Sequence, residues 1–292
     1  MKKHISLFVI GIAMVVNFHA TAQQTSTPDS LQTLVFTLPS GISFQMNYVQ
    51  GGSFMMGCTD DQNGKCERDA HPAHEVALSD FYMGKYEVTQ ALWYAVMGTT
   101  VEQQCKIAGQ YNVYGVGDDY PIYYVHHREA MDFCKALNDI LADYLPNGYQ
   151  FMLPTEAQWE YAARGGVKDE PSLYAGGRFV SDLAWYDGQS KGTTHPVGQK
   201  QPNELGLYDM NGNVWEWCQD WYDKDFYKHS ALQDPLNANC AANIVYRGGS
   251  WDYEAKQCRL STRFYGAPTG RTINLGIRLV LAHPTVATLQ IK

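Results

Sequence analysis

Oxygen donors able to hold a hard cation are concentrated in one stretch, Gly206-Leu-Tyr-Asp-Met-Asn-Gly-Asn-Val-Trp-Glu-Trp-Cys-Gln-Asp-Trp221. Asp209, Asn211, Asn213 and Glu216 bring carboxylate and amide oxygens at short spacing, the ligand type that Ca²⁺ takes about six to eight at a time. The alternative use of the same carboxylates is a turn in which backbone amides satisfy them. Cysteine is the second chemical resource, with seven residues in the chain. Cys58 and Cys66 bracket a short polar loop, Thr59 to Lys65, that a local disulfide can close, whereas the pairing of Cys105, Cys134, Cys218, Cys240 and Cys258 stays open. His71 and His74 lack a third neighbouring ligand and flank Pro72, which favours a structural role. No nucleophile elbow, phosphate loop or dinucleotide fingerprint is present.

These residues must be positioned by a chain of 292 residues, 45% hydrophobic and 13% aromatic, with 26 glycines. That mixture favours short strands, tight turns and packed irregular loops over long helices. A formal net charge of −8 without any basic run gives no footprint for nucleic acid. Lys2 and Lys3 precede an apolar run from Ile5 to Val16 and the small residues Ala20-Thr21-Ala22, the pattern of a signal peptide over 1–22 cleaved near Ala22. The run is too short to span a bilayer, which needs about 20 residues, and no cysteine follows it closely enough for a lipid anchor. An exported protein, periplasmic or extracellular, is expected, and in an oxidising compartment its cysteines are expected to form bridges.

Residues 23–44 read as a linker, 45–283 as one domain and 284–292 as a tail. Leu34 to Leu38 is a first strand, and Phe44 to Val49 followed by Gly51-Gly52 and Ser53 to Met56 reads as a β-hairpin. His74 to Leu78 and Phe81 to Met83 are strand-like. Thr89 is placed to cap a helix from Gln90 to Met97, and 99–120 reads as loop. Ala130, Phe133, Cys134, Leu137, Ile140 and Leu141 make one helical stripe between about Arg128 and Tyr144. A compact helix follows Leu153-Pro154, with Thr155 and Gln158 as a capping box, Glu156 at the positive end of the dipole and Gly165 past its C-terminus. The alternation of Trp215, Trp217 and Trp221 suits a strand entering a core, and Arg247 to Trp251 and Gly276 to Leu281 read as late strands.

Seven segments taken in order resemble the formylglycine-generating enzyme family, also called sulfatase-modifying factors. They are Gly51-Gly-Ser-Phe-Met-Met-Gly57, His71-Pro-Ala-His-Glu-Val76, Tyr86-Glu-Val-Thr89, Leu153 to Gly166, Gly206 to Trp217, Arg247-Gly-Gly-Ser-Trp251 and Gly276-Ile-Arg278. The resemblance covers about 45 to 282 and implies an α+β, C-type-lectin-like fold with much irregular structure. Enzymes of the family oxidise a sulfatase cysteine to formylglycine, using oxygen and a copper ion on two thiolates. Counted from Ser250, the first thiol position is Tyr253 and the second Cys258. A phenol is a poor ligand for soft Cu(I), so the resemblance breaks down at the copper site. By position Asp209, Gly212, Val214 and Glu216 match a family calcium site, two side chains with two backbone carbonyls. His126 and His127 stand where many relatives carry Ser-Trp.

For Cys258 the expectation in an exported protein is a disulfide, with Cys218 or Cys240, against a lone reactive thiol. Arg247, Arg259, Arg263 and Arg278 are expected to tie loop carbonyls and carboxylates together. The function expected first is an exported binding domain for a protein or glycan partner without copper chemistry, its recognition groove formed by Ser250, Trp251, Tyr253 and Cys258, with Arg263 as a further partner-binding residue. The alternatives are an oxidase with a site rearranged around Cys258, converting a cysteine of a substrate protein, and a structural part of a cell-envelope assembly.

Overall fold

In the computed structural model, which describes residues 20–25, 32–64 and 66–284, alternating strands begin the chain. Thr21–Thr25 (β1) pairs antiparallel with Thr33–Thr37 (β2), and β2 with Ser43–Val49 (β3). The segment expected as a linker therefore holds a ladder, because Phe36 and Leu38 bury their side chains in the main core. Ala22, the expected cleavage point, faces Phe36 across β1 and β2, and residues 1–19 of the expected signal peptide lie outside the described residues.

Gly51 ends β3, but the expected hairpin does not form. Gly52–Met56 (β4) pairs with His74–Leu78 (β5), while β3 pairs with Phe81–Gly84 (β6). A Cβ on Gly51 would lie 2.4 Å from the Leu78 carbonyl oxygen, so the chain crosses close against backbone here and leaves the first sheet. Gln90–Met97 (α1) is capped by Thr89, whose hydroxyl accepts from Leu92 N. Val101–Ile107 (α2) lies within the stretch expected to be loop, and Thr100 with Gln103 forms its capping box. His127–Leu141 (α3) buries Ala130, Phe133, Cys134, Leu137 and Leu141, the stripe expected from their spacing.

Gln150–Met152 (β7) leads to Glu156–Ala163 (α4), whose eight residues are all buried. Both halves of its capping box are made, between Thr155 and Gln158, and Gly165 takes φ of 96°. Trp215–Trp221 (β8), Ile244–Arg247 (β9), Phe264–Gly266 (β10), Leu275–Gly276 (β11) and Val280–Ala282 (β12) complete the chain. The strand expected from Arg247 to Trp251 ends at Arg247, where Gly248 and Gly249 take φ of 106° and 81°. One sheet has the order β1-β2-β3-β6-β12-β7 and a second β10-β9-β8-β11, with β4-β5 apart. The architecture is α+β, with short helices set against curled sheets.

Candidate functional site

The loop before β8 is shaped by left-handed residues: Asp209, Gly212 and Asn213 have φ of 56°, 79° and 59°. Gly212 is required there, since a Cβ would lie 2.1 Å from the Trp185 carbonyl oxygen. This turns Asp209 and Glu216 inward beside Glu87, and all three carboxylates are buried. Arg278 faces them, and its guanidinium grips Glu216: Nε lies 2.9 and 3.0 Å from Oε1 and Oε2, and Nη2 2.8 Å from Oε1. Trp159 Nε1 donates to Oε2 at 2.6 Å. Three N–H donors, two from Arg278 and one from Trp159, thus share the two oxygens of Glu216.

Glu87 accepts from Asn213 Nδ2 at 2.6 Å and from Val214 N at 3.0 Å. Asp209 Oδ2 accepts from Gly198 N at 2.7 Å, while its Oδ1 is buried with no hydrogen-bond partner. Burial pushes Asp209 up to about 6 against the pull of the Gly198 amide and Arg278. Burial also raises Glu87 well above its usual range, helped by the charges of Asp209 and Glu216. The expected calcium set thus divides. The orphaned Asp209 oxygen and the excess of carboxylates over guanidinium suit a cation, whereas Glu216 is already engaged by Arg278 and Trp159. Asn211 and Asn213, the other oxygen donors of the stretch, are each engaged with backbone: Asn211 exchanges two hydrogen bonds with Ala175, and Asn213 Oδ1 accepts from His195 N.

The Gly-Gly-Ser segment is also closed. Ser250, Trp251 and Cys258 are buried. Ser250 Oγ and Asp252 Oδ1 lie 2.7 Å apart, and Asn274 donates to both. Trp251 stacks on Tyr114, with ring centroids 4.9 Å apart. Tyr253, partly exposed, sets its ring edge-on to Trp215 and Phe264. The expected groove over Ser250, Trp251, Tyr253 and Cys258 is therefore not open, since three of its four side chains lie beneath the surface. Cys258 forms no bridge to Cys218 or Cys240, contrary to expectation. Its thiol lies against the Gly249 backbone, where a Cβ would come within 2.6 Å of Sγ, and burial pushes it up to about 12. Cys58 and Cys66 are disulfide-bonded, with Cα atoms 5.9 Å apart.

Arg263 belongs to a different centre. Its Nε and Nη2 bind Glu156 Oε1 and Oε2 at 2.7 and 2.8 Å, and its guanidinium lies 4.2 Å from the Tyr227 ring centroid. Arg247 reaches Glu156 Oε1 at 2.7 Å and Glu160 Oε2 at 2.6 Å, and Arg164 reaches Glu160 Oε1 at 2.9 Å. Burial alone would raise Glu156, but Arg263 and Arg247 overcome it and hold the carboxyl below its usual range. Asp220 anchors the start of α4 by accepting from Glu156 N at 2.7 Å. The sequence alone does not single out Glu156 and Glu160 as acceptors; the available signal is two glutamates one turn apart in a helix otherwise rich in alanine and aromatic residues.

A family model described as the sulfatase-modifying factor enzyme 1-like domain matches residues 33–283. The chaperone protein LppX of Paenibacillus barcinonensis is 31% identical over 274 residues, covering 82% of this chain and 90% of that protein. The formylglycine-generating enzyme of Streptomyces coelicolor is 38% identical over 144 residues, 43% of this chain and 45% of the enzyme. The serine/threonine-protein kinase pkn1 of Chlamydia caviae is 31% identical across 82% of this chain, which spans 38% of the kinase. Among solved structures, Treponema denticola variable protein 1 superposes with a TM-score of 0.73 at 29% identity, over 88% of this chain and all of that one.

Proposed function

Since the chain belongs to the formylglycine-generating enzyme, or sulfatase-modifying factor, family, we propose that it is a member that binds a protein or glycan partner and does not perform the copper-dependent chemistry. The observation that carries this reading is the state of Cys258. Copper(I) is held by thiolates, which must be deprotonated and reachable. Cys258 is buried and unbonded, its thiol pushed up to about 12. At the other ligand position Tyr253 packs into an aromatic cluster with Trp215 and Phe264. Export is proposed on the basic and apolar amino terminus, and the Cys58–Cys66 bridge agrees with it. Among the described residues no helix is long and apolar enough to cross a membrane. Calcium is proposed at Asp209, with the Gly212 and Val214 carbonyls and without Glu216, as a structural counter-charge to the buried carboxylates.

The test is direct: the reduced protein is loaded with Cu(I) and incubated aerobically with a cysteine-containing sulfatase peptide. The expected result is no stoichiometric copper and no formylglycine by mass spectrometry. Formylglycine formation that Cys258→Ser abolishes would replace the binding reading with an oxidase built on Cys258.

A further inference from the structure

A cleft away from Ser250 carries the features that the closed segment lacks. It has a cavity volume of about 950 Å³, near the upper end of the roughly 300–1,000 Å³ typical of small-molecule sites. Its wall is aromatic: Tyr222 and Tyr265 stack with centroids 3.7 Å apart and planes inclined by 21°. Tyr265 remains 45% exposed, although it belongs to a strand whose neighbour Phe264 is packed inward against Trp215 and Tyr246. The Arg263 guanidinium lies over the Tyr222 ring, 5.3 Å from its centroid. Asp69 accepts from the Tyr222 hydroxyl at 2.8 Å through Oδ2, while its Oδ1 is buried with no hydrogen-bond partner.

The charges lining this cleft decide what it suits. Arg263 is neutralised by Glu156 and Lys228 by Asp225. What remains is Arg68 and Lys224 against Glu67 and Asp69, and among the described residues no ion pair uses those four. Two cations and two anions leave no net field for a polyanion. They do leave donors and acceptors of both kinds around an exposed aromatic face. A polyhydroxyl ligand meets that arrangement: its hydroxyls can donate to the exposed Glu67 and accept from Arg68 or Lys224, and its C–H face can lie on Tyr265.

We propose that this cleft, walled by Tyr222 and Tyr265 with Asp69 at its edge, binds an uncharged oligosaccharide. The proposal rests on the binding-domain reading and names its ligand class and its location.

The full chain would be titrated by calorimetry with short neutral oligomers of glucose, mannose, galactose and N-acetylglucosamine, with a heparin oligosaccharide as the anionic comparator. At least one neutral oligomer is expected to bind. Tyr265→Ala should weaken it by about tenfold or more, Tyr265→Phe should restore it because the ring face is kept, and Glu67→Gln should weaken it. Tyr265 is exposed, so its variants keep the fold, to be checked by melting temperature. Failure of every neutral oligomer, indifference to Tyr265→Ala, or tighter and salt-sensitive heparin binding would each overturn the proposal. Those outcomes leave the binding-domain reading intact; formylglycine formation is what removes that reading.

Discussion

Arg278 and Glu216 form an ion pair from which water is excluded: neither side chain has accessible surface, and the shortest contact is 2.8 Å. Arg278 also donates to the Gly84 and Tyr208 carbonyls at 2.8 Å each, so it joins β6 and the loop before β8 to the glutamate on β8. Removing one partner of such a pair strands a buried charge and typically costs about 3–5 kcal/mol. Glu216→Gln and Arg278→Met are each expected to fall in that range by urea unfolding, with the double variant losing clearly less than the sum. Additive losses would show that the two residues act independently.

The state of His127 sets an acid limit to stability. It is buried on α3 with Nε2 3.0 Å from the Cys218 carbonyl oxygen, so the ring donates as the neutral tautomer. Burial lowers it from 6.5 to about 4. The unfolded chain takes up its proton near 6.5 and the folded chain only near 4, so this contribution is full above 6.5 and is lost as pH falls between those values. The loss is on the order of 3 kcal/mol. His127→Gln keeps a donor toward the carbonyl without titrating. Its stability relative to the parent should therefore rise as pH drops from 6.5 to 4, and a constant difference across that window would show that His127 is not the titrating group.

Local features were the legible part of the sequence. The helix Glu156–Ala163 carries its capping box and its terminal glycine within a dozen residues, and the alternating tryptophans of β8 mark a buried strand. What escaped depended on partners far along the chain. Arg263 lies 107 residues from Glu156 and Arg247 lies 87 from Glu160, and no periodicity announces such a pairing. The missed hairpin has the same origin, because β3 prefers β6 to its neighbour β4 once Gly51 meets Leu78. Helix α2 is a different failure: Thr100 and Gln103 spelled a capping box, but surrounding glycines and tyrosines obscured it. His126 shows how a departure from family pattern can be absorbed locally, since its Nδ1 accepts from Glu129 N at 3.0 Å and caps α3.

Calcium, with one carboxylate oxygen free for it, should stabilise modestly. Chelation is expected to lower the melting temperature by a few degrees, and added calcium to restore it. Asp209→Ala should melt lower and respond to neither. Asp209→Asn tolerates the left-handed backbone that alanine strains, which separates the ligand effect from the conformational one. A parent protein indifferent to chelator would mean that the surplus carboxylates are balanced by protonation alone.

Cys258 and Cys240 provide an internal comparison that tests the proposed absence of copper chemistry. Cys240 is exposed, whereas the Cys258 thiol is enclosed by Tyr174, Leu183 and Ala184 and lies against Gly249. A thiol reagent attacks the thiolate, so both burial and the raised Cys258 value slow the reaction. Under native conditions one equivalent is expected to modify Cys240 quickly, with Cys258 reacting only on unfolding. Cys258→Ala should cost about 1–2 kcal/mol through the small cavity it leaves and should not weaken oligosaccharide binding. Gly249→Ala should be worse, because it meets Sγ and forces a side chain onto a backbone with φ of 81°. Native modification of Cys258 at a rate near that of Cys240 would place its thiol at an accessible surface and favour the oxidase alternative over the binding reading.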